Sequence, residues 1–143
     1  MPSGQGFDLS RLQAGLRGTA TLTVTEAHTA PEIGSGRVHV LATPVMINLM
    51  EAAALDAVEA LLPQGHQSLG IRLDVTHVAA TPVGMRVEAT ARLTGIEKRT
   101  LRFHVEARDE RDLIGEGAHD RVVVNVARFD ARLEEKVQMI KAR

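Results

Sequence analysis

From Thr43 to Leu62 the chain reads TPVMINLMEAAALDAVEALL, a stretch rich in Ala, Leu, Met and Glu that favours a helix. At about 100° per residue its apolar side chains occupy nearly the whole circumference, interrupted only by Asn48, Glu51, Asp56 and Glu59. Such a helix has almost no face to offer water, so the rest of the chain must wrap it. Its ends are marked: Thr43 reads as the N-cap with Pro44 at the first helical position, and Pro63 and Gly65 stop it.

The segments available for wrapping are strands. Thr19–Thr25 alternates, with Ala20, Leu22 and Val24 on one face and threonines on the other. Residues 26–42, with Pro31, Gly34 and Gly36, read as a loop holding a short extended piece at Arg37–Leu41. After the helix come four alternating runs. Ser68–His77 sets Ile71, Leu73, Val75 and His77 on one face, which is taken to be the core face. Met85–Ile96 and Leu101–Ala107 alternate cleanly. Leu113–Val126 contains Gly115 and Gly117, which point to a bulge or a close backbone approach. The short connections at Thr81–Gly84, Gly95–Arg99 and Asp109–Asp112 predict an antiparallel meander. Residues 1–18 read as a lead-in, and the charged tail from Ala127 to Arg143 as a surface helix. The expected architecture is a single α+β domain over residues 1–143, a long helix with an antiparallel sheet curled around it.

Composition narrows the function classes. A net charge of −1 gives no electrostatic footprint for nucleic acid or an anionic membrane, and three Phe with no Trp or Tyr give no base-stacking platform. No apolar run is long enough to span a bilayer, no signal peptide is visible, and the absence of cysteine removes disulfides and thiolate metal sites. A cytoplasmic location is therefore expected. No two histidines show the helical i, i+4 spacing of a zinc site, so no metal is expected.

Two residues stand out as chemically expensive. Glu51 has Ile47 and Leu55 as its helical neighbours, which would desolvate a carboxylate and ready it for proton transfer or nucleophilic attack; equally, it could reach solvent or pair with an arginine. His77 falls on an apolar strip and titrates near neutrality, or serves as a satisfied structural histidine. Thr43 is explained by capping, although a helix N-terminus can also meet an oxyanion. Gly70 would let a substrate approach the backbone, and Arg121 and Arg99 could meet phosphate.

The segments TPVMINLMEAA, SLGIRLDVTHVAATPVGMRVEATARL and IGEGAHDRVVV resemble the hotdog-fold acyl-CoA thioesterases related to fluoroacetyl-CoA thioesterase, over roughly residues 41–129. Thr43 precedes Glu51 by eight residues, and Glu51 precedes His77 by twenty-six, matching the family's spacing. The resemblance implies a hotdog fold, a catalytic trio of Thr43, Glu51 and His77, and substrate-binding roles for Gly70, through its backbone amide, and Arg121. It also implies hydrolysis of an acyl-CoA to CoA and a carboxylate without a cofactor, in a homodimer whose sites lie between subunits, so that His77 would face Glu51 of the partner subunit. Fluoroacetyl-specific members carry a phenylalanine-bearing lid before the helix; EIGSGRVHVLA here has no aromatic, which points to a generic short-chain acyl group. Two alternatives stand beside this expectation: a non-catalytic acyl-CoA or small-ligand binding module, and an enoyl-thioester hydratase or dehydratase, whose helix-borne Asp and His motif this chain lacks.

Overall fold

A computed structural model describes residues 8–143; most of the first half of the lead-in lies outside the described residues. The chain forms β1 (Arg17–Thr23), the short α1 (Ala30–Ile33), the long α2 (Thr43–Val58), then β2 (His66–Val75), β3 (Arg86–Glu97), β4 (Thr100–Arg108), β5 (Leu113–Asn125) and the C-terminal α3 (Val126–Lys141). The region expected to be loop holds α1, preceded by a 3-10 turn at Glu26–His28. The extended piece expected at Arg37–Leu41 shrinks to one isolated bridge, Thr29 to Leu41. The tail does form a helix.

One antiparallel sheet has the order β1-β3-β4-β5-β2. This corrects the expected meander. β3, β4 and β5 follow one another through tight turns, but β2 pairs with β5 at the far edge rather than with β3. The segment between Val75 and Arg86 continues that pairing: Thr76 donates to the Glu116 carbonyl at 2.9 Å and Val78 to the Ile114 carbonyl at 2.7 Å. The chain then crosses to β3, and Leu41 donates to the Thr81 carbonyl on the way.

α2 packs on the concave face of the sheet against β1 and β3 and, less, β4. Met46, Met50, Ala53, Ala54 and Val58 are fully buried there against Val87, Ala89, Ala91 and Leu93. The helix is not enclosed on most sides as expected, because the sheet covers one side only; Ile47 and Glu51 are half-buried and Leu55 is exposed. Small side chains let helix and sheet approach closely. At Gly18 in β1 a Cβ would lie 2.9 Å from Ala57 Cα, against helix backbone that cannot yield. Gly18→Ala is therefore expected to lower the unfolding free energy by about 3 kcal/mol, as read by urea denaturation. The helix is also tied to the strand by Asp56, whose carboxylate accepts from the Thr19 N–H at 2.9 Å.

β2 differs from its expected pattern. Its register with β5 shifts between Gly70 and Arg72, so Ile71 is the extra residue of a bulge. The bulge inverts the alternation. Ser68 and Gly70 before it, and Leu73 after it, lie opposite Val123, Arg121 and His119, the buried inward positions of β5. Ile71 is thus 56% exposed instead of facing the core, and even inward-facing Leu73 remains 37% exposed, because α2 packs over β1 and β3 and not over this edge of the sheet.

Candidate active site

Two groups of side chains are built along α2's uncovered side, one at its N-terminus and one around its middle. The first sits at its N-terminus. Ala42, not Thr43, is the N-cap, and it makes no side-chain cap bond; Thr43 is the first helical residue. Its hydroxyl, freed from capping, lies 2.7 Å from His77 Nδ1. His77 stands beyond the end of β2, between two residues that bond to β5, which fixes the direction of its ring. Burial lowers the pKa of His77, so the imidazole is neutral at pH 7 and able to take a proton. Its other nitrogen, Nε2, is buried and has no hydrogen-bond partner among the described residues. A buried polar atom left unpaired is costly, so this nitrogen calls for a partner from outside the chain: a water, a substrate group or a residue of a second subunit. Thr43 and His77 line a cavity of about 330 Å³ with Arg37, Val38, Val40 and Ala79.

The second group surrounds Glu51, two turns along the helix. The Glu51 carboxylate reaches over Gly70, where a Cβ would stand 2.5 Å from its Oε2. Arg121, on β5 and only 5% exposed, brings Nη1 to 3.6 Å from the same oxygen. Each of its three guanidinium nitrogens also makes a hydrogen bond: Nε donates to Ser68 Oγ at 2.8 Å, Nη2 to the Ser68 carbonyl at 3.0 Å, and Nη1 to His119 Nε2 at 3.1 Å. His119, buried and stacked on Phe103, places Nδ1 2.9 Å from the Arg72 carbonyl. These partners specify the neutral tautomer with the proton on Nδ1, and burial accordingly holds its pKa below the usual histidine value. Behind Ser68 stands a second carboxylate. Glu59 accepts from the Ser68 hydroxyl at 2.6 Å and from the Ser68 N–H at 2.8 Å. Burial pushes the Arg121 pKa down, and Glu59 and then Glu51 push it back up.

Of the five site residues implied by the resemblance, Thr43 and His77 meet each other, and Glu51, Gly70 and Arg121 meet one another. The two groups do not touch within one chain. Eight helical residues separate Thr43 from Glu51 by about 12 Å along the axis, too far for one carbonyl to contact both. Sequence reasoning missed Ser68, Glu59 and His119. His119 and Arg121 left a trace, being polar residues two apart on the same face of β5 as Val123. Away from both groups, His104, Glu106 and Glu116 cluster on the sheet, His104 Nε2 standing 3.4 Å from Glu116 and Glu106 ion-paired with Arg108 at 3.2 Å.

Comparison with known proteins gives a consistent result. The family model for the fluoroacetyl-CoA-specific thioesterase FlK matches residues 24–127. The fluoroacetyl-CoA thioesterase of Streptantibioticus cattleyicolor is 43% identical over 97 residues, 68% of this chain and 70% of that protein. The solved structure of fluoroacetyl-CoA thioesterase FlK matches with a TM-score of 0.82 at 36% identity, covering 87% of this chain and 97% of that one. A thioesterase superfamily member from Thermus thermophilus matches with a TM-score of 0.84 at 30% identity, covering 92% and 97%. A hot-dog-like protein from Thermanaerovibrio acidaminovorans, at 20% identity and a TM-score of 0.81, shares the fold.

Proposed function

This chain belongs to the fluoroacetyl-CoA-specific thioesterase family, and on that footing we propose that it hydrolyses a short-chain acyl-CoA thioester to CoA and a carboxylate. Its fold is the hotdog, with a curved five-stranded sheet around one long helix. Acyl-CoA substrates fit the family, since a variant of FlK has been solved with acetyl-CoA. The observation that carries the assignment of roles is the buried, unpartnered Nε2 of His77, held in position by Thr43 through the opposite nitrogen.

In this reading Glu51 acts on the thioester carbonyl, either directly as nucleophile or through a water. His77 exchanges the protons, and Thr43 orients its ring. The Gly70 amide stabilises the developing oxyanion, next to the bulge at Ile71 that interrupts the ladder. Arg121 sets the field around Glu51. No step needs a cofactor.

The separation of the two groups along α2 supports a homodimer in which Thr43 and His77 of one subunit face Glu51 and Gly70 of the partner subunit. The surface for it is the edge strand β2. It exposes Leu69, Ile71 and Leu73 along an open row of backbone groups, the kind of edge that proteins otherwise cover or charge. No helix among the described residues is long and apolar enough to cross a membrane, and we place the reaction in the cytoplasm, where CoA thioesters are held.

Thiol release measured across acetyl-, propionyl-, butyryl- and longer acyl-CoAs tests the activity. Wild-type protein is expected to prefer the short chains, and His77→Ala to be slower by about 10²–10⁴-fold, the usual contribution of a positioned acid–base group. Because burial holds the imidazole pKa below the ordinary histidine value, its contribution as a base persists to lower pH than a solvated histidine's would and is lost on further acidification. Binding without thiol release would favour a sequestering module, and loss of the crotonyl-CoA enoyl absorbance would favour a hydratase.

A further inference from the structure

Arg121 is the cation nearest the reacting carboxylate, yet it is held back from it. Its short bonds, 2.8–3.1 Å, all go to Ser68 and His119, while Glu51 Oε2 stands at 3.6 Å, outside hydrogen-bond reach. A free guanidinium beside a carboxylate closes into a bidentate pair, which would lock the carboxylate in place and quench its basicity. What prevents closure here is the Ser68 hydroxyl and carbonyl, and Ser68 is in turn gripped at both its hydroxyl and its N–H by Glu59.

We propose that Glu59 is a positioning residue for the reaction: through Ser68 it tethers Arg121 short of Glu51 and offsets part of the guanidinium charge, which keeps the Glu51 carboxylate basic and mobile enough to act. The inference rests on the reading of Glu51 as the group that acts on the thioester.

The charge accounting around Glu51 is compact. From β5 it faces Arg121 and the neutral His119; from β2 it faces Gly70, which brings no charge; and Glu59 stands at the end of its own helix. Arg72 and Asp120 lie beside the group, 3.7 Å from one another. One positive charge is thus shared by two carboxylates. Glu59 binds it through a neutral hydroxyl, which anchors the guanidinium without removing it from the site. Both Glu59 oxygens are used, Oε1 accepting from the Ser68 hydroxyl and Oε2 from the Ser68 N–H, so the tether calls for a carboxylate rather than an amide.

Glu59→Gln removes the charge and leaves Ser68 only one of its two acceptor oxygens, so the tether is weakened and the offsetting charge is lost together. The readout is the pH titration of the Glu51 side-chain carboxyl, followed by carbon NMR in protein labelled at glutamate and assigned by its absence in Glu51→Gln. The Glu51 resonance is expected to titrate at lower pH in Glu59→Gln than in wild type, by roughly half a unit or more, as the full field of Arg121 falls on it. With it, kcat should fall about threefold to tenfold at unchanged KM. Ser68→Ala cuts the same tether from its other end and should move the resonance in the same direction; it decides the matter if Glu59→Gln does not fold.

An unmoved Glu51 titration in the folded variants would overturn the proposal, even if wild-type protein hydrolyses acyl-CoA. A shift in the variants, together with wild-type protein that releases no thiol, would leave the coupling standing and remove the assigned reaction.

Discussion

Glu51→Gln is expected to lower thiol release from a short-chain acyl-CoA by about 10³-fold or more while leaving the fold intact. The side chain is half-exposed on the uncovered side of α2 and makes no short hydrogen bond, so its replacement removes no packing and strands no donor. Urea unfolding should therefore change little, within about 1 kcal/mol. Catalysis should change greatly, because an amide is neither a nucleophile nor a base at these pH values, and Arg121 would then face a neutral group. The contrast between near-normal stability and lost turnover separates a reacting carboxylate from a structural ion pair. An ion pair would give a modest loss in both measurements.

Gly70→Ala carries the second large effect. The added methyl group would stand 2.5 Å from Glu51 Oε2, 3.2 Å from His119 Cε1 and 3.5 Å from Arg121 Nη1. The Glu51 atom is the free end of a flexible side chain and will swing away; buried His119 has less room. The cost therefore falls mainly on function. Thiol release is expected to drop about 10²-fold through displacement of Glu51 and obstruction of the carbonyl's approach to the Gly70 amide, whose donor role alone is of that order. Retained turnover in Gly70→Ala would place the thioester elsewhere. The comparison with Gly18→Ala is instructive: there the obstacle is helix backbone, and the loss is of stability.

Most of the fold was legible in the sequence because burial imposes a period. The all-round apolar helix 43–62 and the alternation of residues 85–96, 101–107 and 113–126 correspond to α2, β3, β4 and β5 within a few residues. What was not legible depended on contacts between distant segments. Thr43-Pro44 satisfies the local rule for a helix start, but Ala42 takes the cap and the threonine hydroxyl goes to a histidine 34 positions away. Period alone put Ile71 in the core; a one-residue bulge turns it out and brings Gly70 inward beneath Glu51. The place of β2 at the sheet edge followed from the path of residues 76–85, which short-turn reasoning reduced to a turn. Glu51 and His77 were conspicuous as polar residues among apolar ones. Ser68 and Glu59 were not, since a serine at a strand start and a glutamate at a helix end are ordinary until their 2.6 Å bond is seen.

The proposed site is shared between subunits, with Glu51 and Gly70 of one chain working beside Thr43 and His77 of the other. Its most direct test is complementation between two inactive chains. Glu51→Ala and His77→Ala proteins, carrying different affinity tags and co-expressed, would be purified through both tags to isolate the mixed dimer. Each parent dimer should release almost no thiol from acetyl-CoA. The mixed dimer contains one site with both changes and one with neither, so it should regain about half of the wild-type rate per dimer. A mixed dimer as inactive as its parents, or failure of the two tags to co-purify, would contradict the shared site.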